Sequence, residues 1–233
     1  MVHNQKRLWI LYILVLSGMA VLIISGSGTV SVMAENGFQK RETCFIVDPG
    51  HGGVDGGATS CTGKLESAFN LEIGLRLNDL LAFLGYDTAM IRKTDISVYT
   101  QGNTIARKKV SDLKERVRIC NETNGAILLS IHQNTFSDSR YYGPQVFFAD
   151  TEGSRELAEA IQASLQHDLA ENNNRTAKKA EGIYLMEYIQ CPGVLIECGF
   201  LSNAQEEARL RNPEYQKKLC CVIAAAAVSY ANT

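Results

Sequence analysis

The chain has 233 residues, 45% of them hydrophobic and 21% charged, with a formal net charge of −2. That balance fits one globular domain of moderate size. It argues against nucleic acid as a partner, because there is no basic excess and no interleaving of basic with aromatic residues.

At the N-terminus, Lys6 and Arg7 precede the uncharged run LWILYILVLSGMAVLII, from Leu8 to Ile24. Small residues follow, leading to Val32-Met33-Ala34 before Glu35. A positive start, an apolar run and small residues ahead of a cut after Ala34 read as an export signal. The run is also long enough to stay in place as a membrane anchor, since spanning takes about 20 residues. Residues 1–34 are therefore expected to be a signal peptide or anchor, and residues 35–42 a short polar linker. The remainder, 43–233, is then exported, either secreted or held at the membrane through that apolar segment. Export permits disulfides, but the seven cysteines show no regular framework and no CxxC, so they read mostly as buried thiols.

CFIVD, ending at Asp48, is a β-branched strand of the buried type. Phe69, Ile73, Leu77, Leu81 and Leu84 recur at three- and four-residue spacing, a helix from about Ala68 to Leu84 that Gly85 closes. YDTAMI is a second strand, residues 96–110 a polar loop, and a helix is expected from Asp112 to about Thr123. AILLSIH and QVFFA are further strands. Leu157, Ile161, Leu165 and Leu169 mark a helix, and ENNNRTAKKAEG a loop. GIYLM and GVLIEC are expected as strands. Asn203 can cap a short helix, and Asn212-Pro213 opens the last one, with Pro at the favoured first position. No repeat or second globular domain is evident.

Strands alternating with helices predict an α/β fold, a single domain with a largely parallel sheet. Such sheets bind ligands beyond the carboxyl ends of their strands. Three strands here run into residues that do chemistry: FIVDPGH into His51, LLSIH into His132 and VLIE into Glu197. Two histidines at one sheet edge suit zinc, whose catalytic sites take three protein ligands and leave a position open. The helix after the glycine loop begins near Glu66, within reach of that edge. Glu72, six residues on, is turned about 240° away around the helix. The loop GHGGVDGG, with five glycines between Gly50 and Gly57, suggests close approach of another group to the backbone. It lacks the Gly-Lys-Ser/Thr ending of a nucleotide-binding loop. Cys198 lies in an apolar setting that disfavours a thiolate nucleophile.

The motifs VDPGHGGVDGGA, the glutamate in ESAFNLEIGLRLNDLL, RKTD, ERVRICN, SIHQN and PGVLIECGFLSN, in this order, resemble those of zinc-dependent N-acetylmuramoyl-L-alanine amidases (amidase family 3). The resemblance covers roughly residues 44–230. It implies a twisted, mostly parallel sheet flanked by helices on both faces, zinc held by His51, Glu66 and His132, and Glu197 as the catalytic glutamate. Peptidoglycan is the implied substrate, cut between N-acetylmuramic acid and L-alanine. Gln133 and Glu187 depart from the family pattern, and Arg92, Arg116 and Asn121 are expected to fix loops. The compact form, with KKVSDLKER, is similar to the sporulation and germination-type members. No inhibitory insertion or wall-binding repeat is evident, so restraint is expected from outside, for instance from a protein partner that completes the site. The alternatives are a zinc peptidase cutting another bond of the wall peptide and an inactive wall-binding module. The inactive module predicts loss of a ligand or of Glu197, and all four residues are present.

Overall fold

A computed structural model describes residues 42–170 and 172–233. The expected signal or anchor, and the expected linker up to residue 41, lie outside the described residues. Among the described residues no helix is long and apolar enough to cross a membrane.

Alternation along the strands explains the layers. In β1 (Cys44–Pro49), Phe45 and Val47 pack on one side and Ile46 on the other. In β3 (Ala126–Asn134), Ile127, Leu129 and Ile131 oppose Ala126 and Leu128, and in β6 (Gly193–Phe200), Val194 and Ile196 oppose Leu195. A strand's period of two sends a continuous apolar run to both faces, so both need cover. The first face receives α1 (Glu66–Phe83) through Phe69, Ile73 and Leu77, α3 (Ser154–Leu169) through Leu157 and Ile161, and α6 (Pro213–Ala231) through Leu219 and Ile223. The second receives α2 (Ile105–Glu122) through Cys120 and the short α4 (Tyr184–Tyr188) through Leu185 and Met186.

With β2 (Asp87–Met90), β4 (Gln145–Phe148) and β5 (Lys178–Lys179), the sheet order is β2-β1-β3-β6-β4-β5. β2, β1, β3 and β6 are parallel, while β4 runs antiparallel to β6 and parallel to β5. The carboxyl ends of β1, β3 and β6 therefore share one edge, and the chain leaves β1 there, first toward β2 and then back past it to β3. That reversal is where open α/β sheets form ligand crevices. After β6, Asn203 Oδ1 accepts from the backbone N–H of Gln205 and Glu206 to cap α5 (Ala204–Arg211), and Asn212 caps α6 ahead of Pro213.

Three local expectations need correction. The polar loop expected at 96–110 is partly helix: α2 starts at Ile105, with Thr104 Oγ1 accepting from Arg107 N–H at its N-cap. Its first turns leave Ile105 and Val110 exposed. They therefore carry no core-facing stripe to announce a helix. GIYLM, expected as a strand, leads into α4 instead; Glu187 Oε1 accepts from Gly182 N–H, and a run of adjacent apolar residues does not tell strand from helix. The loop expected at 171–182 contributes the two-residue β5 at the sheet edge.

Candidate metal centre

The edge is built from β1 outward. Asp48, fully buried, pairs with Arg116 of α2 and accepts 2.7 Å from Ser130 Oγ on β3. Burial pushes its carboxyl up, but the Arg116 guanidinium and the Ser130 hydroxyl outweigh this and hold it below the usual carboxylate range. Arg92 donates from Nε to Pro49 O (2.8 Å) and from Nη2 to Gly50 O (3.0 Å) and Ser67 O (2.7 Å). Arg116 Nη2 donates to His51 O at 2.8 Å. Asn121 clamps a different turn, donating to Tyr188 O and accepting from Gln190 N–H. The two arginines thus hold the start of the glycine loop through its carbonyls and do not bond the His51 imidazole.

His51 has φ 60, the one non-glycine residue with positive φ among the described residues. Such a conformation is sparsely populated and persists where surrounding bonds enforce it. Two glycines make room beside it. A Cβ on Gly50 would collide with the His132 imidazole; one on Gly57 would lie 2.6 Å from Glu66 Oε2 and 2.7 Å from His51 Cδ2.

Glu66 is the first residue of α1. Its N–H donates to Ala58 O (2.8 Å) and that of Ser67 to Gly56 O (3.1 Å), so the loop backbone itself caps the helix. A carboxylate there also meets the positive end of the helix dipole. Glu66 Oε2 accepts from Ala58 N–H and lies 3.3 Å from His51 Nε2; Oε1 accepts from Gln133 N–H and Asn70 Nδ2 and lies 3.0 Å from His132 Nδ1. Burial pushes the Glu66 carboxyl up, but the bonds and charges of His132 and His51 hold it well below the usual range. Burial lowers the His51 imidazole, yet its bonds to Glu66 and Asp55 raise it on balance.

One donor atom each from His51, Glu66 and His132 all lie within 4.8 Å of one another. Two imidazoles and a carboxylate are the donor chemistry of an open zinc site. Glu66 is nearly enclosed, with 5% of its side chain exposed, while His51 and His132 keep 20% and 18%. One side therefore remains open for a substrate. The residues fit the metal.

Glu197 on β6 is in register with His132 on β3, and the pairing shifts by one residue immediately afterwards, with Asn134 opposite Phe200. Such bulges re-aim side chains beside functional sites. Glu197 Oε2 is shut from solvent and has no hydrogen-bond partner. Burial pushes this carboxyl up, against the pull of His132, to about 7. A carboxyl poised there can both accept and release a proton near neutral pH.

Cys198 points to the opposite face, and burial drives its thiol well above the usual range. Glu72 is bound by Lys64 Nζ at 2.7 Å and stays out of the cluster. Asp55, which touches His51 Nδ1 at 3.0 Å, and Asn70, which touches Glu66, are site neighbours that the sequence did not single out. Their spacing was the available signal, since each lies four residues after the candidate donor it contacts.

The chain matches the family described as N-acetylmuramoyl-L-alanine amidase over residues 45–229. It is 39% identical over 182 residues to the germination-specific N-acetylmuramoyl-L-alanine amidase of Bacillus subtilis (strain 168), covering 77% of this chain and 76% of that one. The CwlD amidase of Clostridioides difficile, solved in complex with the GerS lipoprotein, is similar with a TM-score of 0.78 and 37% identity, over 82% of this chain and 98% of that one. An N-acetylmuramoyl-L-alanine amidase of Clostridium difficile 630 gives a TM-score of 0.72 at 27% identity, over 83% and 98%.

Proposed function

We propose a zinc mechanism from one premise: this chain belongs to the N-acetylmuramoyl-L-alanine amidase family and hydrolyses peptidoglycan. The bond cut is the amide between the lactyl group of N-acetylmuramic acid and L-alanine. The observation that carries the mechanism is the meeting of His51, Glu66 and His132 at the edge that also holds the unpartnered Oε2 of Glu197.

In this reading His51, Glu66 and His132 hold zinc. Bound there, the ion supplies Lewis acidity toward the amide carbonyl and acidifies water. Glu197 Oε2 takes the proton of the attacking water and then delivers it to the departing alanine nitrogen, so one carboxyl serves as base and afterwards as acid. Gln133 N–H and Asn70 Nδ2 hold Glu66 Oε1, fixing the ligand carboxylate between the two imidazoles.

Residues 43–233 are the catalytic domain in this proposal. Residues 1–34 direct export and either leave or remain as an anchor, which puts the enzyme outside the cytoplasm, against the wall or the spore cortex. The similarity to a germination-specific amidase supports the cortex as the substrate. A relative solved with a lipoprotein bound supports a protein partner here as well.

The test is digestion of purified peptidoglycan by the zinc-loaded protein, followed by identification of the new amine. L-alanine amino groups are expected. Another freed amine would reject the bond, and an undiminished rate after thorough chelation would reject the metal.

A further inference from the structure

We propose that Asp55 is a positioning residue for His51: it holds the imidazole proton on Nδ1, so that Nε2 presents its lone pair to the metal. The inference rests on His51 being a zinc ligand, as argued above.

The turn from Gly52 to Asp55 does not need the Asp55 carboxylate to close. Backbone bonds from Gly52 N–H to Asp55 O (2.7 Å) and from Asp55 N–H to Gly52 O (3.1 Å) close the turn whatever the side chain. Beyond that turn the carboxylate has three partners. Oδ2 lies 3.0 Å from His51 Nδ1 and 3.2 Å from Lys109 Nζ, and Oδ1 accepts from Gly57 N–H at 3.3 Å. Lys109 comes from the exposed first half of α2, so a second element braces the group that braces the ligand.

A neutral imidazole carries one N–H, and the partner of one nitrogen decides the state of the other. A carboxylate facing Nδ1 can only accept, which places the proton there. His51 Nε2, 3.3 Å from Glu66 Oε2, is then the free nitrogen. Without Asp55 the ring can move its proton to Nε2 and donate it to Glu66, which closes both atoms to a cation. Outer carboxylates of this kind are worth about 10–100-fold in metal affinity.

The experiment compares the full-length wild type with Asp55→Ala and Asp55→Asn. Zinc affinity is measured by competition with a chromophoric chelator. Nitrogen NMR of the histidines reports the His51 tautomer in the metal-free protein, at a pH where the ring is neutral. Thermal melting of the metal-free form is the control for folding. Asp55→Ala should weaken zinc binding about 10–100-fold, shift the tautomer and, at a pH where the ring is neutral, leave metal-free melting close to that of the wild type. Asp55→Asn, whose side-chain oxygen can accept the same bond, should recover much of the affinity. Should Asp55→Ala fail to fold, Asp55→Leu, close in shape and unable to accept a hydrogen bond, takes its place. A variant without an acceptor that binds zinc like the wild type, or whose loss follows a drop in metal-free melting, overturns the role of Asp55. A wild type that binds no zinc overturns the metal reading instead.

Discussion

At the scale of single residues, the proposed proton carrier and the proposed ligand His132 are neighbours in the sheet, and this makes their roles separable. Glu197→Gln keeps the shape of the side chain but removes its proton affinity, while the three donor residues stay untouched. The variant should retain zinc and lose about 10²–10⁴-fold in kcat; metal analysis beside turnover on peptidoglycan checks both halves, and wild-type turnover would assign the proton work elsewhere. Cys198→Ser should leave hydrolysis largely intact, because that thiol faces the core and donates to Ile196 O at 3.6 Å. Inactivation by a thiol reagent that substrate prevents, together with a dead serine variant, would reopen the cysteine reading. His51, His132 and Glu197 were legible in the sequence because each stands just past or toward the carboxyl end of a strand that reads as buried, and parallel strands share an edge. Asp55 and Asn70 were not, because a four-residue spacing from His51 and Glu66 is common to many polar side chains, and only the folded loop and helix show which of them turn inward.

At the scale of elements, α2 matters more than its weakly apolar sequence suggests. It sends Arg116 under β1 to Asp48 and His51 O, and Lys109 over the loop to Asp55. Removing one partner of a buried ion pair leaves the other charge uncompensated, at a cost of about 3–5 kcal/mol. Arg116→Met should therefore lower stability by about that amount in urea unfolding, and replacing Asp48 by a hydrophobic residue in the same chain should restore much of it. A single substitution that leaves the unfolding midpoint in place would show that water reaches the pair. The first turns of α2 were hidden in the sequence for a physical reason: they bury no apolar stripe, with Ile105 and Val110 exposed, so only Thr104 marked their start. In α4 the fault lay in the signal itself, since Leu185 and Met186 are adjacent and a short apolar run suits either period.

At the scale of the molecule, the α/β class was legible because strand and helix periods alternate. The strand order was not, because hydrogen bonding between β6 and an antiparallel β4 joins segments far apart in sequence. What unites the sheet functionally is the edge, where the metal would tie together the loop after β1, the start of α1 and the end of β3. Zinc should thus act as a structural tie as well as a cofactor, and pH should reveal the same linkage in its absence. The folded values of Glu197 and His51 are both raised, the first to about 7. A raised group stabilises the folded state below its unfolded pKa, and that contribution is lost as pH rises through the folded value. Once the carboxyls held low, Asp48, Asp55 and Glu66, have made their full contribution, above about pH 5.5, the metal-free protein should melt at progressively lower temperature to pH 7 and above, with Glu197→Gln flattening part of the slope. Adding zinc at about 100 times its dissociation constant contributes about 2.7 kcal/mol, which for a domain of this size raises Tm by about 5–10 °C. At one fixed zinc concentration the gain should be largest on the alkaline side, because protons no longer compete there for the three proposed ligands. A melting temperature indifferent to zinc at every pH would show that the three elements are held together without the ion.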